Sequence, residues 1–199
     1  EEYVLEPGDM LYLPPMWAHD GIAEGECMTY SVGFRSPKQD ELARELFLRL
    51  SDAPDECPKD VVYKDPKQTA VAHPGEIPAA LLDFARQALE KALAEPLALE
   101  RALGETLSDP KPGVWFEPAD DFGLIENVRL NQRTRMLYDA QHIFINGESY
   151  LAAGRDAELM RQLADTRQLS SAEVQQLSDD ALQLLSSWVD AGWAHSTAG

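Results

Sequence analysis

The chain has 199 residues, 44% of them apolar, which is enough for real cores and for one or two domains. Its net charge is −18, from 35 acidic and 17 basic residues, which argues against a binder of nucleic-acid phosphates; it suits a protein that attracts a basic partner, although plain cytosolic enzymes share such a balance. Cys27 and Cys57 make no disulfide framework and fit a reducing cytoplasm, and no apolar run approaches the roughly 20 residues that span a membrane.

The opening EEYVLEPGD starts in a strand pattern without an initiator methionine, so Glu1 reads as a cut point inside a domain. Residues 2–6, 10–13 and 26–34 read as strands. Gly8, after Pro7, makes the tight turn before the second strand, and Pro14 and Pro15 end its ladder. The next turn aims His19 back, where an imidazole can bind a metal. A turn, an edge strand and a surface histidine also account for these residues. In the third strand, alternation puts Cys27, Thr29, Ser31 and Gly33 on a small, polar face, and Met28, Tyr30, Val32 and Phe34 on a large apolar one. Arg35 ends the strand as a substrate contact or as a solvated or ion-paired residue.

Gly8, Pro14 and His19 in GDMLYLPPMWAH keep the spacing of the first three fixed points of the second cupin motif. The asparagine that usually follows is Ala23 here. With YSVGFRSP at 30–37, this stretch resembles the C-terminal half of the JmjC-type ribosomal oxygenases, the cupin-4 group. It is most similar to bacterial members that hydroxylate an arginine of a large-subunit ribosomal protein. The specific motifs cover about the first forty residues, and the rest matches by the order of its elements.

The resemblance implies iron(II), with 2-oxoglutarate as cosubstrate, in a double-stranded β-helix. Two histidines and one carboxylate hold such an iron. His19 matches the distal histidine. The other two ligands come from a His-x-Asp pair on an earlier strand, and no such pair precedes His19 here. Thr29 and Ser31, on the face turned to the lumen, could hydrogen-bond a 2-oxoglutarate carboxylate; a tight fit alone also explains two small residues there. The resemblance further implies a basic ribosomal protein as substrate, a homodimer, and a winged-helix-like domain at the C-terminal end.

Residues 40–52 read as a helix capped by Gln39 or Asp40, with Leu42, Leu46 and Leu50 as its stripe beside Phe47. Residues 53–77 form a polar loop with Pro54, Pro58, Pro66 and Pro74; His73 in it has no companion ligand. A second helix runs from Ile77 and Pro78 to about Ala94, with Leu81, Leu82, Phe84, Leu89 and Leu93 on a wide apolar face. A third, 97–107, carries Leu99, Leu103 and Leu107 at spacing four. At roughly 25 cal/mol per Å² these faces are costly to leave in water, so they meet a second copy of the chain or close an intramolecular core.

Residues 108–122 form a linker in which Trp115 and Phe116 anchor to a neighbouring surface. Short strands follow at 127–130, 134–139, 143–145 and 149–152, with Asn146-Gly147 as the hairpin signal. Helices at 156–164, 171–177 and 179–191 complete a winged-helix-like order, the second capped by Ser170 or Ser171 with Glu173 nearby. Residues 123–199 hold ten acids and six bases, and the last helix has no lysine or arginine. A protein-contact or structural role therefore fits better than direct nucleic-acid binding, although Arg129, Arg133 and Arg135 cluster on the sheet side. His142, which begins a strand, and His195, in the tail, read as ordinary residues.

The fold class is α+β: barrel strands at 1–37, a helical dimerisation region at 38–108, a linker at 109–122 and a winged-helix-like domain at 123–199. The leading function is the C-terminal part of a cytoplasmic iron(II)/2-oxoglutarate oxygenase acting on a ribosomal protein, inactive as these 199 residues alone, with no membrane partner and no catalytic side chain beyond the metal and cosubstrate contacts. The alternatives are a non-catalytic dimerisation or protein-interaction module and a non-oxygenase cupin.

Overall fold

The computed structural model describes residues 2–33, 36–52, 61–66, 69, 71, 73, 75–118 and 125–197. They fall into two compact units, Glu1–Ser36 and Pro37–Gly199. Phe34, Arg35 and Cys57 lie outside the described residues.

In the first unit the three expected strands do not form: residues 2–33 carry turns and bends but no β-ladder. A strand is held by hydrogen bonds to a neighbour, and among the described residues these segments have no partner strand. Their side chains are correspondingly bare, with Met10 at 93% and Tyr30 at 83% exposure. Cys27, on the strand face expected to turn to the lumen, is exposed for the same reason.

The second unit begins with α1 (Gln39–Asp52), α2 (Ala79–Ala94) and α3 (Ala98–Ser108). Gln39 and Asp40 lie inside α1 rather than capping it. Leu42, Leu46 and Leu50 are half-buried, and α1 packs on α3. In α2 no residue is buried, and Leu82 and Leu89 are 56% and 59% exposed. Tyr63 stacks edge-on against its Phe84, with ring centroids 5.6 Å apart.

The buried face of α3 differs from the expected leucine stripe. Ala98, Ala102, Gly104 and Ser108 are buried, whereas Leu99 and Leu107 are exposed. The cause is a close approach to the sheet: a Cβ on Gly104 would sit 2.2 Å from the Phe144 ring. Small helix residues admit the ring, and the sheet supplies the volume that leucines would otherwise fill.

Two antiparallel three-stranded sheets follow. One has the order β2 (Met136–Tyr138), β3 (His142–Ile145), β4 (Glu148–Leu151). The β3–β4 turn is the expected Asn146-Gly147, with φ of 48° and 90° and Ile145 facing Glu148. Positive φ at both turn residues matches the right-handed twist of a two-residue hairpin.

The other sheet has β1 (Asn127–Leu130) between β5 (Gln168–Leu169) and β6 (Ala194–Thr197). Both edge strands escaped the sequence reading, which set His195 in the tail; it pairs with Arg129 across β1 and β6. Helices α4 (Gly154–Thr166), α5 (Ser171–Val174) and α6 (Asp179–Asp190) cover the sheets. Ser170 and Glu173 cap α5 reciprocally, as their spacing predicts.

Val128, Ile143, Ile145, Leu159, Leu163, Leu185 and Trp188 fill one core. The linker is seated on this region: Phe116 meets Trp193 edge-on at 6.3 Å, and Arg133 lies 5.6 Å over the Trp115 ring.

His142 is buried, with Nδ1 3.1 Å from the Asp139 carboxylate and its ring stacked on Phe144 at 5.3 Å. Burial alone pushes the Asp139 carboxyl up, but the N–H groups of Gln141 and His142 and the His142 ring outweigh it, holding it below its ordinary 3.8.

Gly104→Ala is expected to cost about 1–3 kcal/mol in urea unfolding, with part of the loss recovered when Phe144→Leu is added. An additive pair would show that the ring and the helix do not share the space. Because the folded carboxyl of Asp139 titrates below its unfolded value, its stabilisation is present above pH 3.8 and is lost as pH falls through the folded value. Asp139→Asn should therefore lose about 1 kcal/mol near neutrality and less than that at acid pH, narrowing the gap to wild type as pH falls. An unchanged gap across that range would remove the charge from the account.

Candidate functional site

The His19 segment is built from two turns. Glu6 and Asp9 exchange hydrogen bonds, Asp9 N to Glu6 O at 3.0 Å and Glu6 N to Asp9 Oδ2 at 2.9 Å, with Gly8 at φ 101°. Trp17 N then donates to Pro14 O at 3.3 Å, and Met16 takes φ 69°. This second turn presents His19, whose Nδ1 lies 3.4 Å from Trp17 O. The ring is exposed, which leaves Nε2 available to a metal.

Thr29 and Ser31 are also exposed, and no hydrogen bond joins either side chain to His19 among the described residues. No group of three or more His, Cys, Asp or Glu among the described residues could hold a metal ion. A facial triad needs two histidines and a carboxylate. One imidazole is a third of that donor set, so these residues do not make an iron site by themselves.

The larger unit holds a cavity of about 640 Å³ between the start of α3, the β3–β4 hairpin and α6. Trp188 and Tyr150 line it, 5.7 Å apart edge-to-face. The Tyr150 hydroxyl donates to the Glu148 carboxylate. Burial, and then that bond, push the phenol up to about 12. Sequence reasoning missed this cavity. Its only linear signal is the aromatic and acidic content of ESYL and SSWVD, and its walls come from segments far apart in the chain.

No helix among the described residues is long and apolar enough to cross a membrane. Among the described residues His73 belongs to no group of three donors that could hold a metal ion, and His142 is committed to Asp139.

Comparison with known proteins places two segments. Residues 1–42 match the JmjC domain family, and residues 88–195 match the ROXA-like winged helix family. The ribosomal protein uL16 3-hydroxylase of Escherichia coli is 27% identical over 95% of this chain and 52% of its own length. A protein of Haemophilus influenzae named "Probable ribosomal oxygenase" is 24% identical over 96% of this chain and 54% of its own. The chain thus spans about half the length of the curated relatives it matches.

Among solved structures, the Escherichia coli ribosomal oxygenase YcfD has a similar fold: TM-score 0.64, 21% identity, 83% of this chain and 48% of that one. A structure of YcfD with cobalt and 2-oxoglutarate gives a TM-score of 0.62 at 20% identity, over 82% of this chain and 47% of that one.

The winged-helix match takes in the end of α2, α3, the linker and everything to β6, the same elements that share contacts here. With a JmjC segment ahead of more than a hundred residues of that match, the chain belongs to the ROXA-like winged helix family and carries the domain order of the JmjC-type ribosomal oxygenases.

Proposed function

We propose that this chain is the C-terminal part of an iron(II)- and 2-oxoglutarate-dependent oxygenase that hydroxylates a side chain of a basic ribosomal protein, an arginine of a large-subunit protein. The observation that carries this reading is the likeness to the uL16 3-hydroxylase along 95% of the chain, through both the JmjC and the winged-helix segments. Iron and 2-oxoglutarate supply the oxidising chemistry when bound. His19 is the distal iron ligand, and the two others come from outside these 199 residues. Thr29 and Ser31 hydrogen-bond a carboxylate of the cosubstrate from the lumen face. By this reading the 199 residues alone are inactive, and the protein works in the cytoplasm.

The oxygenase is a homodimer whose contact uses the bare faces of α1 and α2. Phe47 and Leu48 are 54% and 53% exposed, and Leu82, Leu89 and Leu93 between 50% and 59%. A helix with no buried residue gains little from its own unit, and tertiary packing supplies most of a helix's stability. The winged-helix region does not bind nucleic acid directly. Its α6 has no base, Arg133 donates to Trp115 O, and Arg135 donates to Asp109 O.

In the longer protein, His19→Ala should lower succinate release by at least about 100-fold while the circular dichroism spectrum and melting profile stay unchanged. Turnover within a few-fold of wild type would remove His19 from the metal. Leu89→Glu should shift sedimentation velocity from dimer to monomer, since a carboxylate in a closed apolar contact is costly to desolvate. An unshifted dimer would place the contact elsewhere.

A further inference from the structure

The cavity beside Trp188 takes no part in that reading, and its walls combine three kinds of surface. The floor is aromatic: Trp188 is 1% exposed and Tyr150 stands edge-on against it. The sides are aliphatic, from Leu151 and Leu184. The polar wall is acidic, from Asp156 and Asp180.

The Asp156 carboxylate accepts from Ser178 N at 3.0 Å and from Ser178 Oγ at 2.6 Å. Both donors are neutral, and Asp156 makes no ion pair among the described residues. Asp180 is exposed and makes no ion pair among the described residues. Glu148, which holds the Tyr150 hydroxyl, adds a third carboxylate nearby. Arg101 is the one guanidinium in the wall and is engaged in a contact within the chain. Acids in the first turns of α4 and α6 also favour the helix dipoles. That accounts for their presence but not for their meeting at one cavity with an aromatic floor.

We propose that this pocket receives a lysine or arginine side chain of a basic protein, so that the winged-helix region is a docking site for that partner. The methylene stem lies along Leu184 and Leu151, where apolar wall covers it. The cationic head meets Asp156 and Asp180 on the wall that also carries the half-buried Tyr150 ring. A chain of net charge −18 draws such a partner in at long range. That the partner is a ribosomal protein rests on the function proposed above; the chemistry of the pocket does not.

The test is a 1H–15N titration of the 199-residue chain with a short synthetic peptide of alternating lysine and leucine, against an analogue with glutamine for lysine. The Trp188 indole and the amides of Ser149 and Tyr150 should shift with the basic peptide and not with the analogue. Asp180→Lys and, separately, Leu151→Arg should each weaken the apparent Kd by about ten-fold. Both side chains are exposed, and unchanged melting of either variant serves as the folding control.

Equal shifts with the glutamine analogue, shifts confined to other acidic surface, or unaltered affinity in a folded variant would each overturn the proposal. His19→Ala should leave the titration unchanged. A longer protein that hydroxylates nothing while this binding persists would defeat the oxygenase reading and leave the pocket standing.

Discussion

The close seat of α3 on the β3–β4 hairpin is the contact on which the larger unit depends. An isolated two-stranded hairpin is marginal in water. Here the Gly104 surface lets the Phe144 ring approach the helix, and polar bonds close around the turn. Gly147 N donates to Ser108 Oγ at 3.1 Å, and Ser149 Oγ donates to Glu105 Oε1 at 2.6 Å. Arg49 of α1 then reaches over, donating to Gly147 O at 3.2 Å and to Asp109 Oδ2 at 2.7 Å. Three elements from distant parts of the chain thus converge on one turn. A side chain at Gly147 would disturb all of them, because its Cβ would meet Asp109 Oδ1 at 2.7 Å and its φ is 90°. The turn fixes the register, the register buries Ile143 and Ile145, and those two residues close the core against α4 and α6.

Local signals in the sequence were read well where the governing physics is local. Asn146-Gly147 needs positive φ twice, Ser170 with Glu173 forms a capping box, and Asn127–Leu130 alternates, and each element stands where those rules put it. The failures share a different cause. β5 and β6 are short edge strands whose only reason to be strands is β1 between them, a partner 39 or more residues away. Leu99 and Leu107 were read as part of a face that meets a second copy of the chain or closes an intramolecular core, and within the chain it is the small-residue side of α3 that is buried. What decided the outcome was Phe144, which claims the volume and leaves the helix to contribute alanine and glycine. Residues 2–33 show the same limit in a stronger form, since alternation is necessary for a strand but a ladder also needs a neighbour.

The two candidate sites divide along this line. His19 was legible because its signal is spacing: a glycine turn, a strand, a proline stop and an imidazole. Yet a metal centre is assembled from distant ligands, and among the described residues no group of three donors forms around it. The Trp188 cavity was illegible because none of its walls has a linear pattern of its own. Pro96, Tyr150, Asp156, Asp180 and Trp188 belong to three elements and the connection before α3, and only packing makes them neighbours.

Charge ties these observations together. With ten acids and six bases in residues 123–199, most of the acidic excess of the chain lies ahead of residue 123. A field of that sign repels phosphate backbones and attracts basic protein, whichever segment makes the contact. Some arginines that could have opposed it are spent inside the fold: Arg133 and Arg135 hold the linker, and Arg167 donates to Asn131 O and Thr134 O. Three of the arginines in residues 123–199 thus serve internal bonds, while Arg129 stays exposed on β1. With ten acids against six bases there, the surface charge is mainly carboxylate, and the remaining specificity has to come from shape and from aromatic and aliphatic walls such as those around Trp188.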